Sequence, residues 1–110
     1  MAAHRLEVLA ELADTVARRR GATAETSYTA RLLVEGRAKC AKKLGEESVE
    51  LVLASVMSDD AHIRAEAADV VYHLVVLLEA CRVPLSSVME ELAARMGESG
   101  LDEKRSRKRP

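Results

Sequence analysis

Apolar side chains recur every three or four residues along most of this chain, and their runs are cut by glycine, proline and polar clusters. Leu9, Leu12, Ala13 and Val16 keep helical spacing and predict a first helix over residues 6–20, closed by Arg18-Arg19-Arg20 and Gly21. Residues 21–26 read as a loop, and Ser27 is placed to cap a short helix over 28–35 that Gly36 stops. A third helix is predicted over 38–57, with Ala41, Leu44, Val49, Val52, Leu53 and Val56 forming a broad apolar arc, until Ser58-Asp59-Asp60 breaks it. The fourth runs over 61–82 with Ile63, Ala67, Val70, Leu74, Leu77 and Leu78 on its expected buried side. Pro84 opens a fifth that carries Leu85, Val88, Met89, Leu92 and Met96. The break between the third and fourth helices is too short for a crossover, so the two must form an antiparallel hairpin. The pattern describes an all-α fold of about five helices in a single domain over residues 1–96. Residues 97–110, with Gly97, Gly100 and dense charge, read as a basic, flexible tail.

Composition agrees with this picture. The chain has 110 residues, 48% of them hydrophobic, enough for one domain with its own core. Phe and Trp are absent and Tyr occurs twice, which suits helices better than strands. The net charge of −1 argues against a nucleic-acid binder, which needs a concentrated positive face. Charge is divided unevenly: the tail from Gly97 carries Lys104, Arg105, Arg107, Lys108 and Arg109 against Glu98, Asp102 and Glu103, and the body is mildly acidic. Cys40 and Cys81 match neither a redox CxxC pair nor a zinc spacing, so they read as buried structural thiols of a reduced chain. The N-terminus lacks the apolar run of a secretion signal. The longest apolar stretch, residues 70–78, includes His73 and is too short to span a bilayer, so the expected location is the cytoplasm.

The chemistry lies in the hairpin. Glu46, Glu47 and Glu50 fall within about 100° of arc on the third helix, opposite its apolar arc. Glu66 and Asp69 form a second acidic pair on the fourth helix. Folding about Ser58 brings position 47 level with 69 and position 50 level with 66, so four carboxylates, Glu47, Glu50, Glu66 and Asp69, are expected to converge. Like charges crowded in this way stay ionised only beside a counter-ion. An all-oxygen donor set without an ExxH motif selects a hard cation, Mg²⁺, over zinc, copper or a di-iron centre. Mg²⁺ prefers to share phosphate oxygens, so the nest implies polyphosphate chemistry. The bland alternative is a solvated acidic face, with Lys43 merely paired to Glu47 along the helix. Lys39 and Lys43 stand one to two turns before the acids and are candidate phosphate ligands, together with Glu46. His62 and His73 share the stripe of Glu66 and Asp69; His73 is the better candidate to reach a phosphate or orient a carboxylate. Tyr72 is expected to pack or to meet a second copy. Tyr28 suits either a stacked base or a staple at its helix start.

At these residues the chain resembles the phosphoribosyl-ATP pyrophosphatases of histidine biosynthesis, a branch of the all-α NTP pyrophosphohydrolases. The resemblance rests on Ser27-Tyr28-Thr29-Ala30-Arg31-Leu32-Leu33, Lys42-Lys43-Leu44-Gly45-Glu46-Glu47-Ser48-Val49-Glu50, Ala68-Asp69-Val70-Val71-Tyr72-His73-Leu74 and Ser99-Gly100-Leu101-Asp102-Glu103-Lys104, in the family's order and spacing. Glu47, Glu50, Glu66 and Asp69 fit the wider group's ExxE and ExxD pairs, while Ser48, where a small Ala is usual, and Pro84 depart without touching the acids. The resemblance implies Mg²⁺-dependent hydrolysis of phosphoribosyl-ATP to phosphoribosyl-AMP and pyrophosphate. It also implies a homodimer in which helix pairs from two subunits pack as a four-helix bundle. On that reading Glu47, Glu50, Glu66 and Asp69 hold one or two ions, Glu50 or Glu47 doubles as general base, and Lys39, Lys43, Lys104 and Arg105 neutralise the leaving pyrophosphate. Two other readings remain: an enzyme for ordinary or damaged nucleotides, and a non-catalytic helical dimer.

Overall fold

The computed structural model describes residues 4–57 and 59–97. Five α-helices follow one another: α1 Glu7–Arg19, α2 Tyr28–Glu35, α3 Arg37–Met57, α4 Asp60–Ala80 and α5 Leu85–Met96. No strand occurs among the described residues, so the fold is all-α. The predicted helices are all present, with ends within two residues of expectation. Ser58 and the tail beyond Gly97, including Lys104 and Arg105, lie outside the described residues. No single helix is long and apolar enough to cross a membrane.

Local chemistry explains the boundaries. Ser27 Oγ accepts from the Ala30 amide at 3.1 Å and Asp59 Oδ1 from the His62 amide at 3.1 Å, so α2 and α4 begin with an orphan N–H satisfied. Between α2 and α3 there is one residue, Gly36, at φ 96° and ψ 179°, a conformation open essentially only to glycine. Its amide donates to the Leu32 carbonyl at 3.2 Å and its carbonyl accepts from Cys40 at 3.1 Å, so both helices are hydrogen-bonded through the joint. At the far end of α4, Arg82 takes φ 60° and the Val83 amide donates to the Leu78 carbonyl at 2.9 Å, which closes the helix without a glycine.

α3 and α4 form the expected hairpin and share the largest helix contact in the molecule. The core, however, occupies one end of it. Val16, Leu32, Leu33, Cys40, Val75 and Val76 are buried together, with Leu9, Leu12, Ala13, Tyr72, Leu77 and Ala80 packed around them. α1 and α2 thus cover the start of α3 and the second half of α4. A part-buried ion pair, Arg20 Nε to Glu79 Oε2 at 2.8 Å, ties the end of α1 to α4.

Val49, Val52, Leu53 and Val56 are 57, 62, 48 and 77% exposed, so this part of the apolar arc of α3 faces outward, and only Cys40 and Ala54 are buried on that helix. One expectation about burial needs correction. On α4 the buried residues are His73, Val75 and Val76, whereas Leu74, expected inside, is exposed. The cause is that residues 70–78 are apolar on nearly every side, so periodicity cannot select the face that α1 and α2 will cover.

Candidate functional site

The acidic site sits where the buried end of the hairpin gives way to the uncovered end. Glu47 on α3 and Glu66 and Asp69 on α4 each present a carboxylate oxygen, and these oxygens all lie within 4.8 Å of one another. Glu47 and Glu66 are half-buried and Asp69 is exposed, so the group opens to solvent on one side. The expected register therefore holds for positions 47 and 69. Glu50, one turn further along α3, is exposed and stands outside this group of three.

The three-oxygen set suits a hard divalent ion. Oxygens bonded to one octahedral Mg²⁺ lie about 3.0 Å apart when adjacent and about 4.2 Å when opposite, because each bond is about 2.1 Å long. Oxygens already within 4.8 Å reach that geometry by closing at most about 1.8 Å per pair, within the reach of side-chain rotation. Carboxylate donors without sulfur or imidazole in the group favour Mg²⁺ or Mn²⁺ over softer metals.

The surrounding residues divide into those that touch the acids and those that do not. Lys43 Nζ lies 3.6 Å from Glu46 and 4.0 Å from Glu47, so it already neutralises part of the cluster along its own helix. Lys39 is exposed one turn earlier. His62 Nε2 meets Glu66 Oε1 at 3.3 Å from the α4 start.

His73 is the one buried polar residue among those described, 5% exposed, and its Nδ1 has no hydrogen-bond partner. Burial lowers its pKa below the ordinary value; the nearby carboxylates of Glu47 and Asp69 oppose that shift and Lys43 adds to it. The imidazole is held between two rings, edge-on to Tyr72 at 4.9 Å and to Tyr28 at 6.4 Å. Tyr72 in turn hydrogen-bonds Thr29 across the α2–α4 contact, so it locks α2 in place rather than facing outward. Arg31 lies over the Tyr28 ring at 5.4 Å. Sequence reasoning passed over Arg31. The usable signal was its i,i+3 spacing from one of only two aromatic residues.

Comparison with known proteins gives a consistent result. Residues 9–96 match the family model described as phosphoribosyl-ATP pyrophosphohydrolase. A phosphoribosyl-ATP pyrophosphatase from Methylobacterium radiotolerans is 57% identical over 100 residues, covering 91% of this chain and 94% of the relative. The Paracoccus denitrificans protein of the same name is 53% identical over 91% of this chain and 93% of its own length. That of Dinoroseobacter shibae is 50% identical over 93% of this chain and 100% of its own length.

Proposed function

The chain belongs to the phosphoribosyl-ATP pyrophosphohydrolase family, and from that premise we infer that it hydrolyses phosphoribosyl-ATP to phosphoribosyl-AMP and pyrophosphate in histidine biosynthesis. The observation that carries the reading is the convergence of Glu47, Glu66 and Asp69 from two helices onto one point. Nothing in the packing of a helical hairpin calls for three acids there, since their mutual repulsion opposes folding.

In this proposal Glu47, Glu66 and Asp69 hold Mg²⁺, and Glu50 joins them at the edge of the site. An ion held by these carboxylates would supply Lewis-acid charge neutralisation to the substrate phosphates and lower the pKa of a nearby water. Glu50, which stands outside the group of three, is free to take the proton from that water as general base. Lys43 sits against the carboxylates and moves its positive charge toward the phosphates as they enter; Lys39, one turn away, does the same for the leaving pyrophosphate. Glu46 keeps Lys43 oriented through its 3.6 Å contact. His73, buried and favouring its neutral form, shapes the wall beside Glu47 and Asp69. Lys104 and Arg105, which lie outside the described residues, would add positive charge against the leaving pyrophosphate, residues 1–96 forming the catalytic domain.

The uncovered apolar arc of α3 supports a homodimer. Val49, Val52, Leu53, Val56 and Met57 are all at least 48% exposed on one helix, a larger patch than isolated surface residues would give. A second copy packed on this face would turn the hairpin into a four-helix bundle. The cytoplasm, where nucleotide and Mg²⁺ are both abundant, is the compartment that suits this reaction.

The test is pyrophosphate release from phosphoribosyl-ATP, ATP and deoxynucleoside triphosphates, each with Mg²⁺ and with EDTA. Preference for phosphoribosyl-ATP that vanishes in EDTA is expected. Equal turnover of ordinary triphosphates would instead point to a general nucleotide pyrophosphohydrolase, and no turnover at all to a binding module.

A further inference from the structure

Outside the carboxylates, the most unusual arrangement in the molecule is the short file of rings that leads away from them. His73 stands one helical turn beyond Asp69, a rise of about 6 Å. Its ring is followed by Tyr28 at 6.4 Å and then by the Arg31 guanidinium, 5.4 Å above the tyrosine ring. Tyr28 is 45% exposed although the His73 ring it meets is buried. Arg31 is exposed, and among the described residues no carboxylate pairs with it. A flat, cationic surface is thus held open to solvent, its tyrosine ring at most about 12 Å from Asp69 along the first two of these steps and its guanidinium one step further.

The platform is rigidly built. Ser27 caps α2 at 3.1 Å, the Arg31 amide donates to the Ser27 carbonyl at 3.0 Å, and the Thr29–Tyr72 hydrogen bond fixes the same turn to α4. Such ordering of an exposed tyrosine and arginine brings no packing gain, because neither side chain enters the core cluster. It does suit a ligand with a π face and a negative charge: a planar guanidinium on an aromatic ring stacks bases and takes phosphate in two parallel hydrogen bonds.

We propose that Tyr28 and Arg31 form the subsite for the base end of the substrate, and that Arg31 takes the phosphate of the extra phosphoribosyl group. This rests on the activity inferred above. With the triphosphate at Glu47, Glu66 and Asp69, the base extends along α4 past His73 to the Tyr28 ring. Ordinary ATP ends there. Phosphoribosyl-ATP carries a second sugar phosphate beyond the base, and Arg31 is the unpaired cation waiting beside it. Arg31 is then the residue that separates the two nucleotides, while the carboxylates treat them alike.

Steady-state kinetics on the full chain with Mg²⁺ test this, with phosphoribosyl-ATP as substrate and ATP as competing inhibitor. Arg31→Ala is expected to raise KM for phosphoribosyl-ATP by roughly 10- to 100-fold, the usual loss for a charge-assisted contact, with kcat within about twofold and the inhibition constant of ATP unchanged. Arg31→Lys recovers part of the loss, since a point charge replaces the phosphate contact but not the planar stack. Tyr28→Leu weakens both nucleotides by about fivefold through the lost stack. Melting curves identify any variant that fails to fold, and Arg31, being exposed, can be truncated without touching the core. Folded Arg31→Ala protein that keeps the wild-type KM, or that weakens ATP and phosphoribosyl-ATP equally, overturns the assignment. A wild-type chain inert toward phosphoribosyl-ATP would overturn the inferred activity instead, so the two failures are told apart.

Discussion

Neutralising one acid of the cluster has opposite effects with and without metal, and the size of both can be worked from the geometry. Two unit charges 4.8 Å apart repel by about 0.9 kcal/mol in bulk water and about 3.5 kcal/mol at the effective dielectric of a protein surface. Glu47 and Glu66 are 20 and 17% exposed while Asp69 opens to solvent, which puts each pair between the two figures, about 1–2 kcal/mol. Glu66→Gln keeps the shape of the side chain, leaves an oxygen to accept from His62 and removes two of the three repulsions. Allowing for the ion pair that Lys43 already gives Glu47, the gain in metal-free protein is at least about 1 kcal/mol. For a domain of this size that raises Tm by roughly 4–8 °C. Wild-type protein in Mg²⁺ gains about 2.7 kcal/mol when free metal is a hundredfold above Kd, and the variant gains much less. Thermal melts at one protein concentration should therefore cross: the variant melts higher in EDTA, the wild type higher in Mg²⁺. A variant that melts lower in EDTA, or Mg²⁺ that raises both Tm values equally, refutes the idea that these acids wait for a shared cation.

Other consequences can be checked more quickly. Gly36→Ala should cost about 1–3 kcal/mol in urea unfolding with an unchanged m value; nothing lies within 4 Å of the added methyl, so any loss reports φ 96° alone. Leu53→Glu, at a site 48% exposed, should leave the helical content intact while sedimentation shifts from dimer to monomer; an unshifted profile rules out α3 as the contact. Cys40 is fully buried and its thiol is pushed above the ordinary 9.0, first by burial and then by Cys81 and Glu35. Because the folded pKa lies above the unfolded one, the stability from keeping that thiol protonated is complete below pH 9.0 and fades as pH rises through the folded value. Iodoacetamide at pH 8 should accordingly modify Cys81 before Cys40, as peptide mass spectrometry would reveal; equal labelling would mean that the α2–α3 corner opens freely.

Much of this architecture can be read from short-range rules. Ser27, Gly36 and Asp59 act on their own neighbours, so the α2 boundaries and the start of α4 follow from capping chemistry alone. The meeting of Glu47 with Asp69 also follows, because a hairpin with a tight bend leaves helix rise as the only variable. Where two faces were equally apolar, local pattern had nothing to discriminate with: α4 hid His73, Val75 and Val76 and left Leu74 out because α1 and α2 chose the side. The α3 arc is a related case, since apolar residues suited to a partner are spaced like those suited to a core, and spacing alone does not say which they are. Glu50 shares a stripe with Glu47 but is exposed and stands outside the trio, which equal distance from the bend did not foretell. The Tyr28, His73 and Tyr72 contacts join residues more than forty positions apart, and no spacing rule spans that distance.

The single-residue joint at Gly36 leaves no slack between the helix that bears the tyrosine platform and the helix that bears Glu47. Lengthening it by even one residue would keep every functional side chain in the sequence, yet would swing Tyr28 off His73 and break the bonds that Gly36 donates to Leu32 and accepts from Cys40. If the proposed subsite holds, the distance between the two ends of a bound nucleotide is thereby written into a chain length, and the spacing of the ruler matters as much as the marks upon it.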